Sequence, residues 1–400
     1  MRIAIIGGGA AGFMAAITAK SCSSDNEVVL FEKSNKVLAK VKISGGGRCN
    51  VTNACFSISQ LVKNYPRGQK FLKKPFSYFS TKDTFDWFES RGVTLKTESD
   101  NRVFPVSNQS QSIVDCLLNE LNKLDVKLEL QSIISKIEKI ENQFLLVINN
   151  QEVFFDRVII ATGGSPKLSG FDWIKNIQKN IIDPVPSLFT FNIPNNNITD
   201  LMGVVANNAS VRIEATKIKH SGPLLITHWG MSGPAVLKTS AFGARHLFES
   251  NYNFNIQINW ANLSEKEYLN ISDENCGSNR IISNKNPFDL PSRLWNYIIN
   301  KSEISDNKKW NQLNKKERNK LINTLMNDVY PVKGKTTFKE EFVTSGGVDI
   351  QYINNQSMES EICEGLYFCG EVLNIDGVTG GFNFQAAWTT GYLAGKNSVR

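Results

Sequence analysis

The chain has 400 residues, 41% hydrophobic and 21% charged, with a net charge of +7; it is too apolar for a disordered chain and long enough for two or three domains. No apolar run approaches the 18 or so residues that cross a bilayer, so no membrane association is expected. The seven cysteines (Cys22, Cys49, Cys55, Cys116, Cys276, Cys363 and Cys369) show neither a CxxC pair nor Cys/His zinc spacing, so no metal site is expected and a reduced, cytoplasmic protein is the simplest reading.

In chain order, "RIAII" (2–6) predicts a buried parallel strand. Gly7-Gly8-Gly9-Ala10-Ala11-Gly12 follows and fits GxGxxG, and "FMAAITAK" then predicts a helix. The loop interrupts an apolar start that otherwise resembles a secretion signal. Gly7 allows a tight turn, Gly9 lets backbone approach a diphosphate, and Gly12 lets helix pack on strand. Ala10 and Ala11 open the helix, whose N-terminus favours an anion. "EVVLFE" predicts a second strand ending at Glu32, 20 residues past Gly12. Glu32, with Lys33 beside it, is placed to accept hydrogen bonds from a ribose diol and argues against a 2′-phosphate. Dinucleotide binding follows, with FAD or NAD as the ligand.

"FDRVIIATGGSP" (155–166) is an apolar strand ending in Ala161-Thr162-Gly163, and "GLYFCGEV" (365–372) is another ending in Gly370-Glu371. Two-dinucleotide flavoproteins use such strand ends around the flavin nucleotide, which favours FAD. "DPVPSL" (183–188) and "YPVKGK" (330–335) read as crossing points, since Pro interrupts strands and helices. Residues 1–188 with 340–400 are therefore expected to form a discontinuous FAD-binding domain. Residues 189–260 are expected to form a β-rich insert and 261–339 a helical one. Residues 301–340 hold nine Lys and one Arg against five acids. That excess reads as a solvated helical face, with nucleic-acid contact as the alternative. The Asn-rich stretches "IPNNNITD" and "NYNFNIQINWANL" read as surface composition.

The chain also carries "ISGGGRCNVTN" (43–53), "RVFPVSNQSQSIVDCL" (102–117), "LITHWGMSGPAVL" (225–237), "FVTSGGVDI" (342–350) and "GLYFCGEVLNIDGVTGGFNFQAAWTTGYLAG" (365–395). With these motifs it resembles the BaiN/YhiN-type flavoproteins, the NAD(P)/FAD-dependent oxidoreductases that include aminoacetone oxidase-type enzymes. The resemblance implies an α/β fold: a Rossmann-like, GR2-type FAD-binding domain with an inserted β-barrel-like and helical module. It implies non-covalent FAD, with Leu38, Ala39, Cys49 and Asn50 along the cofactor and the Ile134 backbone near the adenine. Relatives often have Gly-Arg or Gly-Lys where this chain has Leu38-Ala39. Gly370, Glu371 and Asn383 match a flavin-proximal turn.

The final loop then has a physical reading. Thr379 to Phe382 form a turn through Gly380 and Gly381, and a helix begins near Asn383 and Phe384. Aimed at the flavin pyrimidine edge, its N-terminus would stabilise charge that develops on reduction. Only one GxGxxG is present, so NADH or NADPH would share the substrate pocket. His228, in "THWGMSGP", is the candidate proton donor; a structural histidine is the alternative. Cys49 and Cys55 could form a redox pair, although Cys49 alone reads as cofactor-adjacent.

The leading expectation is an FAD oxidoreductase transferring hydride through flavin N5 to or from a small organic substrate, NAD(P)H-linked, with no specific nucleic-acid partner. An O₂-using amine or carbinol oxidase, a flavin-dependent RNA-modifying enzyme and a non-catalytic flavin module stay open. Oligomeric state is not legible.

Overall fold

The computed structural model describes residues 1–336 and 343–400. The chain divides into two compact units, cut after Ser187 and again within 337–342. The expected second crossing at 339/340 lies outside the described residues.

The first unit is built on a five-stranded parallel sheet. Its strand order is Leu366–Phe368, Arg157–Ile160, Arg2–Ile6, Glu27–Phe31 and Lys127–Glu129. The first strand is central, with Ile5 opposite both Ile159 and Leu30. Ile3, Ala4 and Ile5 are fully buried, as an apolar run without alternation requires. Each such isoleucine contributes about 1.5–3 kcal/mol.

Helix Ala10–Cys22 follows the first strand directly, and every residue from Ala11 to Ala19 is buried. A helix buried all round must have neighbours on several sides. One of them is the last helix, Phe382–Asn397. Its small residues set the separation: a Cβ on Gly391 would lie 2.5 Å from the Ala11 carbonyl oxygen, and one on Gly395 2.3 Å from that of Ala15. The last helix begins at Phe382, one residue ahead of the expected start.

The second unit holds a seven-stranded antiparallel sheet in the order Asp328–Lys333, Asn253–Asn259, Val205–Ile213, Lys219–Thr227, Gly230–Ser232, Thr190–Asn192 and Lys335–Thr336. Its two end strands are separated in sequence by Gly334 alone, which has φ +89°. A sheet whose opposite ends are joined by one residue must curl on itself, and the barrel-like expectation rests on that curl. Helices Glu265–Asn275, Ser292–Lys301 and Lys315–Met326 accompany it. Trp260, Trp295, Trp310 and Tyr330, all fully buried, belong to one hydrophobic cluster with Ile256, Ile258 and Leu325. The strand-rich and helical segments thus share a core. Asp328 is buried in it, accepting from Trp260 Nε1 at 2.9 Å, Tyr330 Oη at 2.6 Å and Lys301 Nζ at 2.5 Å.

Gly395→Val is expected to lower stability by about 2–3 kcal/mol, because the clash is with backbone. Gly277→Ala, where a Cβ meets nothing within 4 Å, is expected to stay within about 0.5 kcal/mol. Urea unfolding followed by tryptophan fluorescence compares them; equal midpoints would contradict the helix contact.

Candidate functional site

The first glycine loop is closed by backbone. The Gly7 N–H donates to Phe31 O at 2.8 Å, and Ala161 N–H donates to Ile6 O at 2.8 Å. Gly7 has φ +118°, and a Cβ there would lie 2.4 Å from Ala161 O; one on Gly12 would lie 1.9 Å from Gly7 O. Gly9 differs. Its φ is −94° and a Cβ would meet nothing within 4 Å, so the space beside it is open. The helix starts there without a side-chain cap or an acid in its first turn. An uncapped N-terminus beside open space can take a diphosphate through backbone N–H groups.

Glu32 is half-buried and anchored by both oxygens. Gly8 N–H donates to Oε2 at 2.9 Å and Ser34 N–H to Oε1 at 2.8 Å. Each carboxylate oxygen has a further lone pair, which suits a ribose diol. The Ser132 N–H donates to Glu32 O at 2.9 Å, so the segment leading to Ile134 runs beside this turn. Ile134 itself opens the strand Ile134–Ile140 and is half-buried. Lys33 is exposed.

Leu38 adopts the left-handed conformation, φ 56°, at the start of helix Ala39–Gly47. For a leucine this costs about 1–2 kcal/mol. Full burial of the side chain and donation from its N–H to Gly8 O at 2.8 Å hold it there. Ala39 is exposed, and the next residue supplies the cation: Lys40 Nζ reaches Glu371 Oε2 at 2.7 Å. Glu371 Oε1 also accepts from Thr344 N–H at 3.1 Å.

The "SGGGRCN" signature has a conformational cause. Gly45, Gly46 and Gly47 have φ of 58°, 69° and 81°, and Cys49 follows at 61°. This run of left-handed residues breaks the helix, and a Cβ on Gly46 or Gly47 would meet nothing within 4 Å. Arg48 turns to protein: its guanidinium lies 3.9 Å over the Phe104 ring and donates to Glu98 at 2.6 Å. Cys49 is fully buried, and burial pushes its thiol up to about 12. A thiol raised this far and fully buried is a poor nucleophile, which counts against a redox pair with Cys55. Asn50, with its amide oriented to its neighbours, accepts from Gly381 N–H at 2.9 Å and donates to Thr52 O at 2.9 Å.

Two other strand ends meet the start of the first helix. Ala161 abuts Gly7; Thr162 is exposed and Gly163 has φ +76° with open space beside it. Gly370, φ +76°, would place a Cβ 2.8 Å from Ala11 Cβ, and its N–H donates to Thr390 Oγ1 at 2.9 Å. At the last helix, Gly381 has φ +92° and would put a Cβ 2.3 Å from Thr52 O. Gly380 O accepts from Asn53 Nδ2 at 3.0 Å. Asn383 brackets Gly377, accepting from its N–H at 2.8 Å and donating to its carbonyl at 2.9 Å. Phe384 stacks on Trp388 at 5.8 Å. No side chain caps this helix either.

Sequence reasoning missed the group beneath that turn. Asp376 is fully buried and paired with Arg67, whose Nε donates to Oδ1 at 2.5 Å; Ser187 Oγ donates to Oδ2 at 2.7 Å. Burial pushes the Asp376 carboxyl up and Arg67 opposes it. Removing one member of such a pair costs about 3–5 kcal/mol. Asp-Gly signals a turn, but nothing in the sequence links Asp376 to an arginine 309 residues away.

All the expected cofactor residues thus fall in the first unit, and those of the two glycine loops are joined through Ala11, Gly370 and Glu371. The open cradle at Gly9 and Gly163, the uncapped helix starts and the spare Glu32 lone pairs fit a flavin dinucleotide. His228 belongs to the second unit, exposed, with its ring 4.3 Å from and edge-on to Trp229. The neighbouring Thr227 hydroxyl is buried, with no hydrogen-bond partner among the described residues. Among the described residues no helix is long and apolar enough to cross a membrane, and no cluster of His, Cys, Asp or Glu could hold a metal ion.

The family described as HI0933-like protein Rossmann domain matches residues 1–397. The ribosomal RNA dihydrouridine synthase of Escherichia coli is 29% identical, covering 99% of this chain and 97% of that protein. Its namesake from Haemophilus influenzae is 30% identical, covering 97% and 96%. The 3-dehydro-bile acid delta(4,6)-reductase of Clostridium scindens is 26% identical, covering 99% and 98%. Among solved structures, 3-ketosteroid-delta4-(5alpha)-dehydrogenase from Rhodococcus jostii RHA1 aligns with a TM-score of 0.50 at 13% identity, covering 100% and 96%; at that identity the likeness speaks for the fold alone.

Gly9→Val and Gly12→Val separate binding from folding. Gly9→Val is expected to fold normally and purify without flavin, because its side chain enters open space. Gly12→Val is expected to lose folded protein altogether. Circular dichroism and absorbance read the two effects; a stoichiometrically yellow Gly9→Val protein would contradict the cradle.

Proposed function

The chain belongs to the HI0933-like Rossmann family of FAD-dependent oxidoreductases, and from that premise we propose a reductase that saturates a carbon–carbon double bond conjugated to a carbonyl, acting on uracil in ribosomal RNA. The observation that carries the flavin reading is that the first helix starts uncapped beside the Ala161 and Gly370 strand ends, and that the last helix, which also starts uncapped, packs on it in the same unit. The relatives' names support one reaction class. Dihydrouridine arises by adding two hydrogens across the uracil C5=C6 bond, which is conjugated to the C4 carbonyl. A delta-4 double bond is likewise conjugated to a 3-keto group.

FAD, when bound, supplies the hydride for the β-carbon, and a nicotinamide replenishes it. The N-terminus of helix Ala10–Cys22 would hold the diphosphate, Glu32 the ribose diol and the start of the last helix the flavin's pyrimidine edge. The second hydrogen goes to the α-carbon as a proton. His228 is our candidate for that donor, since a ring N–H of an imidazole can give up a proton. The two RNA-enzyme relatives support an RNA substrate; the bile-acid reductase supports the small-molecule expectation, a small enone, as a second reading.

The test incubates FAD-loaded protein with deproteinised ribosomal RNA and NADH or NADPH, then measures nucleosides by mass spectrometry. Dihydrouridine, two mass units above uridine, is the expected product. A flavin that is reduced while uridine stays intact would contradict the RNA reading, and reduction of a 4-en-3-one steroid in its place would make the substrate a small enone. His228→Ala is expected to keep its flavin and lose about 10²-fold or more in turnover; unchanged turnover would make His228 structural.

A further inference from the structure

The strand Asn253–Asn259 reads Asn-Phe-Asn-Ile-Gln-Ile-Asn. Alternate side chains of a strand point to opposite faces. Ile256 and Ile258 are fully buried in the core, so Asn253, Asn255, Gln257 and Asn259 share the other face. Strand register extends that face. Arg212 lies opposite Gln257, and Ser210 opposite Asn259. On the next strand Lys219 lies opposite Arg212, and Ser221 opposite Ser210. Arg212, Lys219, Gln257 and Asn259 line a depression of about 250 Å³.

Two cations sit together on this face, and the acid nearest to them in sequence, Glu214, forms no ion pair with either among the described residues. Arg212 and Lys219 are exposed cross-strand partners, and like charges in that relation repel. None of the three strands carries an Asp or Glu. Neither cation has an ion-pair partner among the described residues. The lysine-rich segment is the opposite case: Lys301 pairs with Asp328, Lys308 with Glu317, Lys320 with Glu303 and Arg318 with Asp273. The excess of basic residues in that segment is therefore partly spent on internal pairs, and the opposed pair on the sheet is not.

We propose that this sheet face binds an RNA backbone, with Arg212 and Lys219 taking phosphates; the amides of Gln257 and Asn259 are held by Asn327 Oδ1 and Leu263 O at 2.7 Å each and shape the depression between them. The polyanion relieves the repulsion between the two cations. Guanidinium and ammonium groups donate to phosphate oxygens. The outward positions of these strands carry no aromatic ring, so contact is with the backbone and not by base stacking. They are also too polar for an apolar protein partner. The choice of RNA rests on the ribosomal RNA reading above.

The test uses full-length, FAD-loaded protein and a fluorescein-labelled oligouridylate, read by anisotropy across a salt series. The double variant Arg212→Ser/Lys219→Ser is expected to bind at least about 10-fold more weakly and to flatten the log–log salt slope by about 1.4, two lost phosphate contacts on a single strand. Lys63→Ser/Lys82→Ser, in the first unit, is expected to bind as the parent does. Flavin absorbance and its bleaching by NADPH should be unchanged in both, which verifies folding. Equal affinity and slope in the first double variant would overturn the proposal. So would binding to phosphatidylserine vesicles with none to RNA. If the variant loses RNA binding but the parent makes no dihydrouridine, the surface stands and the uracil reading falls. If the parent makes dihydrouridine and the variant binds RNA equally well, the reading stands and the surface falls.

Discussion

The first and last helices approach so closely that Gly391 and Gly395 leave no room for a Cβ beside the Ala11 and Ala15 carbonyls, and the relative position of the two helix starts follows from that contact. Each helix starts at a glycine turn and neither start is capped by a side chain. Packing the helices on small residues fixes the two starts in one unit, although the chain between them includes the whole second unit. Gly370 tightens the same place, since its Cβ position falls on Ala11. One long ligand with an anionic diphosphate and a reducible ring would draw on both ends.

That arrangement carries costs that the surroundings offset. Leu38 is held left-handed by burial and by a backbone bond to the first loop. Asp376 keeps a buried carboxylate before Gly377 because Arg67 and Ser187 satisfy it. Asn383 then fixes Gly377 from the other side. Strained or buried polar features of this kind persist only where neighbouring structure over-determines them, and they gather at functional sites. Here they lie on the turns that lead to Lys40–Glu371 and to the last helix. The second unit solves a different problem. Its curled sheet turns one face to a tryptophan-rich core and leaves the other polar, and Asp328 is satisfied from three directions inside.

What could be read in advance was local. Gly7, Gly9 and Gly12 sit at fixed spacing, the flanking strand and helix have clear periods, and Glu32 falls at the usual distance. The parallel sheet was legible from apolar runs, and the return of the C-terminal segment from the Gly370 strand end. What escaped depends on distant register. Leu38 looked like a missing glycine and a missing cation; the cation is one residue on and bound to Glu371, which the sequence separates by 331 positions. Arg48 is taken by Glu98 and Phe104, a pairing that the sequence does not signal. The 189–260 and 261–339 segments read as separate inserts because their patterns differ, yet Trp260, Trp295 and Trp310 share one cluster. The Asn-rich strand looked like composition until register set Arg212 and Lys219 beside it.

The central claim is that this chain carries a flavin dinucleotide that accepts electrons from a nicotinamide. An absorbance spectrum of the purified protein, followed anaerobically after adding NADH and then NADPH, tests it most directly. The account predicts a yellow protein that bleaches within seconds with at least one of the two. A colourless protein that takes up no added FAD would contradict the site, and a yellow one that neither donor bleaches would contradict the reductase.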